Sequence, residues 1–392
     1  MADTVMILSA RRTPIGAFQG ALAAMSAPQL GSVAARAALA AAGIAAADLD
    51  ETIMGCVLPA GLGQAPARQA ALGAGVPVQV PATTVNKMCG SGMKAIMIGA
   101  DQLSAGRAAL VLAGGLESMS NAPYLLPKAR SGYRMGHGEI LDHMFYDGLQ
   151  SPWDGRLMGC FADATAQKYG LTRDAQDAFA AESVRRALRA LQAGEFDAEV
   201  APVEISGRKG TRRVARDETP FSCDIAKIPA LKPAFGPGGT VTAASSSSIS
   251  DGAAATVLTR ESVARERGLE PVARLVAWAS SALAPEWFTV APVAAIRRVL
   301  QEAGWKVADV DLFEVNEAFA VVAMAAQRDL AIDPLRLNVN GGACALGHPI
   351  GATGARIVTT LIHALRQRSG RRGVAALCIG GGEATAVAVE LT

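Results

Sequence analysis

The chain has 392 residues, a formal net charge of +2 and a hydrophobic fraction of 51%. This length exceeds what one hydrophobic core usually serves, so two or three domains are expected. The near-neutral charge, without a basic tail or a nucleic-acid-binding motif, excludes nucleic acid as an expected partner.

The N-terminal segment predicts a buried strand at Val5–Ser9. It has no basic region, and its apolar run is too short for an export signal. No stretch of about 18 uncharged apolar residues occurs in the chain, so we expect no contact with a membrane. The six cysteines form no Cys-x-x-Cys pair. Free thiols in a reducing compartment are therefore expected, and with them a cytoplasmic location.

Predicted helices and strands alternate over the first 120 residues. Apolar residues recur at helical spacing over Pro28–Gly43, and Gly43 is a typical helix C-cap. Thr52–Val57 predicts a strand, and Ala109–Glu117 predicts a strand that ends in a glycine turn. This alternation predicts an α/β fold with largely parallel sheets.

The two halves of the chain resemble each other. A helix that opens at Gly90 is followed by Ala109–Glu117, and a helix that opens at Gly351 is followed by Ala375–Glu383. Both of the following segments end in Gly-Gly-x-Glu. Each copy has the order helix, loop, strand and glycine turn, which indicates a duplicated βαβ core.

Residues 120–248, between the halves, hold many turn residues and most of the charged runs. Thr172–Gly194 predicts a helix with Thr172 as its N-cap. The basic stretch Gly207–Glu218 is compatible with phosphate contacts, although charged runs are more often solvated turns. The serine-rich stretch Ala244–Ser250 leads directly into an apolar segment and predicts an ordered loop.

Cys89 stands at the entrance of a predicted helix, next to Gly90 and Gly92. The unpaired N–H groups and positive dipole of a helix N-terminus favour a thiolate, which is a nucleophile. The glycines would let a substrate approach the sulfur. A buried, inert cysteine is an equally good interpretation of this motif alone.

His348 lies between Gly347 and Pro349, also just before a predicted helix. A histidine on rigid backbone beside close-approach glycines suits proton transfer. Taken alone, a hydrogen-bonded turn histidine is the plainer interpretation.

Cys378 ends a predicted buried strand and is followed by three glycines. The ends of α/β strands are common positions for functional sites, and an N–H group such as that of Gly380 can bind an oxyanion. The alternative is a strand cysteine followed by an ordinary turn. Asn316 and Glu317 interrupt an apolar run, so they need buried partners. Asn316 is compatible with orienting a water or a catalytic base, or with a helix N-cap.

Several classes of site are not predicted. The histidines at 137, 143 and 363 lack the spacing of a metal-ligand set. No P-loop and no dinucleotide fingerprint occurs, which disfavours a nicotinamide dehydrogenase. The serines lack the Gly-x-Ser-x-Gly elbow of a hydrolase.

Four motifs together resemble the thiolase family over essentially the whole chain. They read NKMCGSGMKA, NEAFA, GGACALGHPIGATGAR and CIGGGEA, and they are most similar to those of acetoacetyl-CoA thiolases. The resemblance implies a thiolase fold, with duplicated α/β halves in a five-layered αβαβα sandwich and an inserted loop domain. It divides the chain into an N-terminal half (1–119 and 249–271), a loop domain over the active site (120–248) and a C-terminal half (272–392).

The resemblance also implies reversible Claisen condensation of two acetyl-CoA to acetoacetyl-CoA and CoA, through an acetyl thioester on Cys89. His348 would take the proton of Cys89 and contribute to one oxyanion hole, whose water Asn316 would hold. Cys378 would act as acid and base at the α-carbon. The N–H groups of Cys89 and Gly380 would form a second hole. The implied substrate and CoA contacts are Ser247, Phe235, Ala243, Phe319, Met158 and Phe288.

The implied partners are acetyl-CoA, acetoacetyl-CoA and CoA, with CoA as substrate or product and neither a tightly bound cofactor nor a metal site. The segment at Phe288 resembles a branch with potassium-responsive members, so a potassium ion is compatible with it. A homotetramer, as a dimer of dimers, is expected. A broader-range 3-ketoacyl-CoA thiolase remains open. A decarboxylating ketoacyl synthase would need a second catalytic histidine, and a non-catalytic acyl-CoA carrier would not need all four motifs.

Overall fold

The computed structural model describes residues 3–208 and 210–392. Across these residues the strands are β1 (Val5–Arg12), β2 (Gly16–Ala17), β3 (Glu51–Gly55), β4 (Ala82–Val85), β5 (Leu110–Ser118), β6 (Tyr124–Leu125), β7 (Leu141–Asp142), β8 (Val203–Gly207), β9 (Gly210–Val214), β10 (Ser250–Arg260), β11 (Ala273–Ala282), β12 (Leu312–Val315), β13 (Arg372–Ile379) and β14 (Glu383–Leu391). The α-helices are α1 (Ala27–Ala42), α2 (Pro66–Gly73), α3 (Ser91–Ser104), α4 (Met158–Tyr169), α5 (Arg173–Gln192), α6 (Glu261–Arg267), α7 (Ala291–Ala303), α8 (Ala320–Leu330), α9 (Ala343–Leu346) and α10 (Ile350–Gln367).

The helix termini follow from local capping chemistry. Ser26 caps α1 by accepting a hydrogen bond from the backbone N–H of Gln29, and Gly43 ends that helix with a left-handed φ of 66°. Thr172 caps α5 in the same way, with Ala175 as the donor. These contacts lie within a few residues of each other, which is why both helices were predicted nearly to the residue.

The main sheet repeats one pattern on either side of its centre. Its strand order is β12-β13-β14-β11-β1-β10-β5-β3-β4. Outward from the central β11–β1 pair, each side has two antiparallel pairings followed by parallel pairing, one pair in the second half and two in the first. The two sides of the sheet are joined where Val5–Ile7 pair with Ala273–Leu275. The predicted duplication is therefore present in the strand order and in the strand directions.

Three hydrophobic cores separate five layers. The first lies between α1, α2 and the first half of the sheet, as with Leu30 against Leu112. The second surrounds α3 and α10, which lie between the two halves of the sheet. The third packs α7 and α8 on the outer face of the second half. This αβαβα order confirms the predicted sandwich.

The predicted glycine turn after the first-half strand is wrong. Gly114 and Gly115 remain inside β5, where they pair with Ala255 and Ala254 of β10. A Cβ at Gly114 would collide with the carbonyl oxygen of Ala254, so glycine serves close strand packing here. In the second half the matching glycines do form a turn, which joins β13 directly to β14. In the first half, residues 119–249 connect β5 to β10, at the position where the second half has this short hairpin turn.

The basic stretch of residues 207–218 includes part of the hairpin β8–β9. Arg212 and Arg213 are exposed on β9, in line with the interpretation that favoured a solvated segment. Lys209 lies outside the described residues.

Candidate active site

Cys89 sits on a strained turn between β4 and α3. Met88 has a φ of 46°, a left-handed conformation that non-glycine residues rarely adopt. Asn86 Oδ1 accepts from the Met88 N–H at 2.9 Å. Ser91 Oγ donates to the Met88 carbonyl at 2.6 Å and accepts from the Lys87 N–H at 2.8 Å. These side chains stabilise the turn that presents the cysteine, and strain of this kind is typical of functional positions.

The Cys89 thiol is half-buried and uncharged at rest. Burial raises its pKa to about 11, and the N–H groups of Gly380 and of Cys89 itself act in the opposite direction. The N–H groups at the helix entrance lower the pKa of the thiol, the direction that the sequence predicts, but loss of hydration outweighs them. The same N–H groups face Sγ, where a charge would develop during reaction.

The ring of His348 is held in one tautomer. Gly347, with a φ of 105°, leads into it, and the backbone N–H of His348 donates to Ser248 O at 3.2 Å. Thr353 Oγ1 donates its only proton to Pro349 O at 2.9 Å. It must therefore accept from Nδ1–H of His348, 2.6 Å away. Nε2 then carries the lone pair, and it has no partner within the described chain.

His348 is uncharged near neutral pH. Burial lowers its pKa to about 3, and the nearby positive charge of Arg356 adds to this effect. With Nδ1 protonated and Nε2 free, the imidazole is prepared to accept a proton.

Glycines bring the two helix entrances together. A Cβ at Gly92, in the first turn of α3, would lie 2.9 Å from the backbone nitrogen of Ala355 in α10. A Cβ at Gly354 would collide with the backbone nitrogen of Met93. Only glycine permits this approach, so the loops that carry Cys89 and His348 meet at one place.

Cys378 and Gly380 enter the same place from the end of β13. The Cys378 side chain is fully buried, and burial raises its pKa well above the usual thiol value, with Cys89 adding to the rise. The turn that follows is built from Gly381 and Gly382, whose φ angles are 98° and 91°. It directs the Gly380 N–H at Cys89 Sγ.

Asn316 lies in the loop between β12 and α8. Its N–H donates to Ala376 O at 2.9 Å, and its Oδ1 is 3.5 Å from a guanidinium nitrogen of Arg356. The N-cap alternative for Asn316 is wrong, since α8 begins at Ala320 with Phe319 as the N-cap residue. Its Nδ2 is buried and finds no partner among residues 3–208 and 210–392.

Glu317, next to Asn316, holds neighbouring segments together through its carboxylate. Its carboxylate accepts from Ser183 Oγ at 2.7 Å, Asn338 Nδ2 at 2.8 Å and the Cys344 N–H at 3.1 Å. It ties α5 and the loop before α9 to the Asn316 segment, which fulfils its predicted need for buried partners.

A cavity of ≈370 Å³ opens beside His348. Its walls include five of the six predicted substrate contacts, namely Ser247, Phe235, Ala243, Phe319 and Met158. Phe288 is the exception, because it is not part of the cavity wall, and its predicted contact with substrate is corrected here. It is buried in the third core, with its ring centroid 6.5 Å from that of Phe319, so it supports the cavity wall from behind.

Metal clusters and membrane-spanning helices are both absent from the part of the chain that the structure describes. No group of three or more His, Cys, Asp or Glu side chains is placed to hold a metal ion. No helix there has the length and apolar character needed to cross a membrane.

Comparison with known protein families identifies the family to which the chain belongs. A model of the thiolase N-terminal domain matches residues 5–262, and a model of the thiolase C-terminal domain matches residues 269–391. The chain belongs to the thiolase family.

Curated relatives and a solved structure match this thiolase along its length. The Pseudomonas aeruginosa "Acetyl-CoA acetyltransferase" is 47% identical over 385 residues, 98% of each chain. The Arabidopsis thaliana "Acetyl-CoA acetyltransferase 2" is 48% identical over 390 residues, 99% of this chain and 97% of the relative. The crystal structure of the Bacillus anthracis acetyl-CoA acetyltransferase superposes with a TM-score of 0.97 at 39% identity, covering 100% of this chain and 99% of that chain.

Sequence reasoning missed one carboxylate beneath the thiolase site. Glu117 is fully buried and accepts from the N–H groups of Val57 at 3.0 Å, Leu58 at 3.1 Å and Gly351 at 2.8 Å. Burial raises its pKa to about 7, while these three donors act to lower it. It thereby fastens the start of α10 to the first half. Its position at the end of an apolar run was the available sequence indication.

Proposed function

We propose that this thiolase is an acetyl-CoA acetyltransferase, which reversibly joins two acetyl-CoA molecules into acetoacetyl-CoA and CoA. One observation carries the proposal: Cys89 Sγ faces the N–H groups of Cys89 and Gly380, and Cys378 lies close enough for the charge of Cys89 to raise the Cys378 pKa. The names of relatives that are 47% and 48% identical support acetyl-CoA as the substrate.

The first half-reaction transfers an acetyl group to Cys89. His348 Nε2 takes the thiol proton as Sγ attacks the thioester carbonyl. The N–H groups of Cys89 and Gly380 stabilise the negative oxygen. The bond between the carbonyl carbon and the CoA sulfur then breaks, and CoA leaves with the proton from His348. Burial is consistent with this order, because it keeps the Cys89 thiol and the His348 imidazole uncharged until a substrate binds.

The second half-reaction forms the carbon–carbon bond. Cys378 passes its thiol proton to Nε2 of His348 and then, as a thiolate, removes a proton from the methyl carbon of a second acetyl-CoA. His348 and a water held by Asn316 stabilise the enolate oxygen. The enolate carbon attacks the acetyl carbonyl, the bond to Cys89 breaks, and His348 returns its proton to the Cys89 sulfur. A thioester is the intermediate that this step needs, since a carbon nucleophile attacks it more readily than an oxygen ester.

Mass spectrometry after incubation with acetyl-CoA tests the proposal. We expect one acetyl group, located on the peptide that contains Cys89 and removed by added CoA. Absence of the label, or its presence on another residue, would contradict the proposal. Thiolysis rates over a series of 3-ketoacyl-CoA chain lengths then decide between the acetoacetyl substrate and the broader-range alternative.

We further propose the domain division predicted above, together with a cytoplasmic homotetramer. The place of residues 119–249 between the paired strands β5 and β10 supports the inserted loop domain. The six unpaired cysteines support a reducing location. CoA is substrate or product, and the potassium response stays a prediction that added KCl in a thiolysis assay tests.

We expect Thr353→Val to lower kcat on the order of 10- to 100-fold, because valine neither accepts from His348 Nδ1 nor fixes the ring. Thr353→Ser keeps the hydroxyl and should retain most of the activity. Steady-state thiolysis of acetoacetyl-CoA measures both variants. Equal rates in the valine and serine variants would show that the hydroxyl does not position His348.

A further inference from the structure

Arg356 lies buried in α10, two turns after His348, and contacts the loop of Asn316. Its side chain is 2% exposed. One guanidinium nitrogen lies 3.5 Å from Asn316 Oδ1, and the other lies 3.8 Å from Glu314 Oε2 on β12. Burying an arginine is costly unless its contacts compensate for the loss of hydration. Arg356 is therefore unlike an ordinary core residue. It is a buried charge on the helix that follows His348, and it contacts the loop that carries Asn316.

The contact with Arg356 fixes which way the amide of Asn316 faces. A guanidinium offers only donors, so the atom of Asn316 that faces it must be the oxygen. Nδ2 then points away from the arginine. It is buried and unpartnered among the described residues, as is Nε2 of His348. These are the two groups that the proposed function places at the enolate oxygen.

We propose that Arg356 is a positioning residue, which holds Asn316 Oδ1 so that Nδ2 is directed toward the reacting thioester. This inference rests on the proposed function. Without the guanidinium, the amide of Asn316 loses its fixed orientation and can present oxygen, which cannot donate to a water or an oxyanion. Glu314 is the carboxyl partner of Arg356, with Oε2 3.8 Å from the second terminal nitrogen.

Glu199, Glu317 and Arg12 also surround Arg356 electrostatically. Arg12 is itself paired with Glu199 at 2.5 Å and with Asp217 at 2.7 Å. Among these charges, Arg356 is the one with a hydrogen bond to Asn316 within the described chain. Its role is therefore separable from that of the neighbouring buried ion pair.

The test is a double-mutant cycle between Arg356 and Asn316. We expect Arg356→Lys and Arg356→Met to lower kcat for acetoacetyl-CoA thiolysis on the order of 10- to 100-fold, with KM within about twofold of wild type. Lysine, which keeps one donor, should retain more activity than methionine. In an Asn316→Ala background neither change should lower kcat further, because groups that act as a unit do not add. Thr359→Ala is the control, since Thr359 is buried in the same helix and donates only to Ala355 O.

The outcomes separate this inference from the proposed function. Wild-type protein without thiolysis activity would contradict the proposed function. Active wild type with unchanged kcat in both arginine variants, or losses that multiply in the Asn316→Ala background, would overturn the positioning role. If both arginine variants fail to fold, Asn316→Asp replaces them. Its carboxylate still pairs with Arg356 but has no N–H, so stability should remain while kcat falls to that of Asn316→Ala. Wild-type kcat in Asn316→Asp would overturn the inference.

Discussion

Replacing Cys89 with serine should abolish covalent acetylation and lower kcat for thiolysis by at least about 10⁴-fold. The site already raises the pKa of the thiol to about 11 by burial. A hydroxyl has a far higher pKa than a thiol, so His348 would have to remove its proton against a much larger barrier. Any ester that formed would also resist attack by a carbon nucleophile. Intact-protein mass spectrometry and steady-state thiolysis measure the two effects.

The matched control for this variant is Cys223→Ser. Cys223 is another half-buried free thiol, and it packs against a separate core formed by α5 and α9. Its replacement should leave acetylation and thiolysis near wild-type values. An active Cys89→Ser enzyme, or loss of activity in both variants, would refute the assignment of Cys89 as the acetyl carrier.

Cys378→Ala should separate the two half-reactions. The variant should still acquire an acetyl group on Cys89, because His348 and the N–H of Gly380 remain in place. Condensation should fall by about 10²- to 10⁴-fold, the usual contribution of a general acid–base group. Exchange of label between CoA and acetyl-CoA reports the first half-reaction, and formation of acetoacetyl-CoA reports the second.

Cys344→Ala supplies the control for a buried thiol. Cys344 is also buried, and among the described residues its thiol hydrogen-bonds to the carbonyl oxygen of Glu317. Both half-reactions should survive in this variant. If Cys378→Ala cannot be acetylated, or if it condenses acetyl-CoA at the wild-type rate, then Cys378 is not the acid and base of the second step.

The features predicted best from the sequence are those that depend on residues close together along the chain. The predicted caps Gly43 and Thr172 lie within three residues of the groups that they bond, and the strand and helix alternation follows from local periodicity. The motifs around Cys89 and His348 were visible for the same reason. The structure places the two motifs at the facing entrances of α3 and α10.

Features that depend on distant contacts were not predictable. Glu117 bonds to Gly351, which is 234 positions away, and no local pattern indicates that pairing. Gly114 was interpreted as a turn residue, since a glycine that permits a turn and one that permits close packing look the same in sequence. Phe288 was expected at the substrate but packs behind Phe319, because one layer of side chains separates the cavity from the core.

The protonation state of Cys89 also could not be predicted from the sequence. A cysteine at a helix entrance is expected to ionise easily, yet burial of Cys89 reverses that effect. The loss of hydration depends on groups from both halves of the chain. The tautomer of His348 was open for a similar reason, and the hydrogen bond that Thr353 donates to Pro349 determines it.

The contact between α3 and α10 has an evolutionary consequence. Cys89 precedes α3 and His348 precedes α10, so the two residues occupy equivalent positions in the repeated halves. A symmetric dimer of one ancestral half would carry the same side chain at both positions, either two nucleophiles or two bases. Joining the copies in a single polypeptide frees each position to mutate independently. Complementary chemistry at the two positions therefore requires halves that differ in sequence, which the single polypeptide provides in one molecule, and neither half expressed alone would contain a complete site.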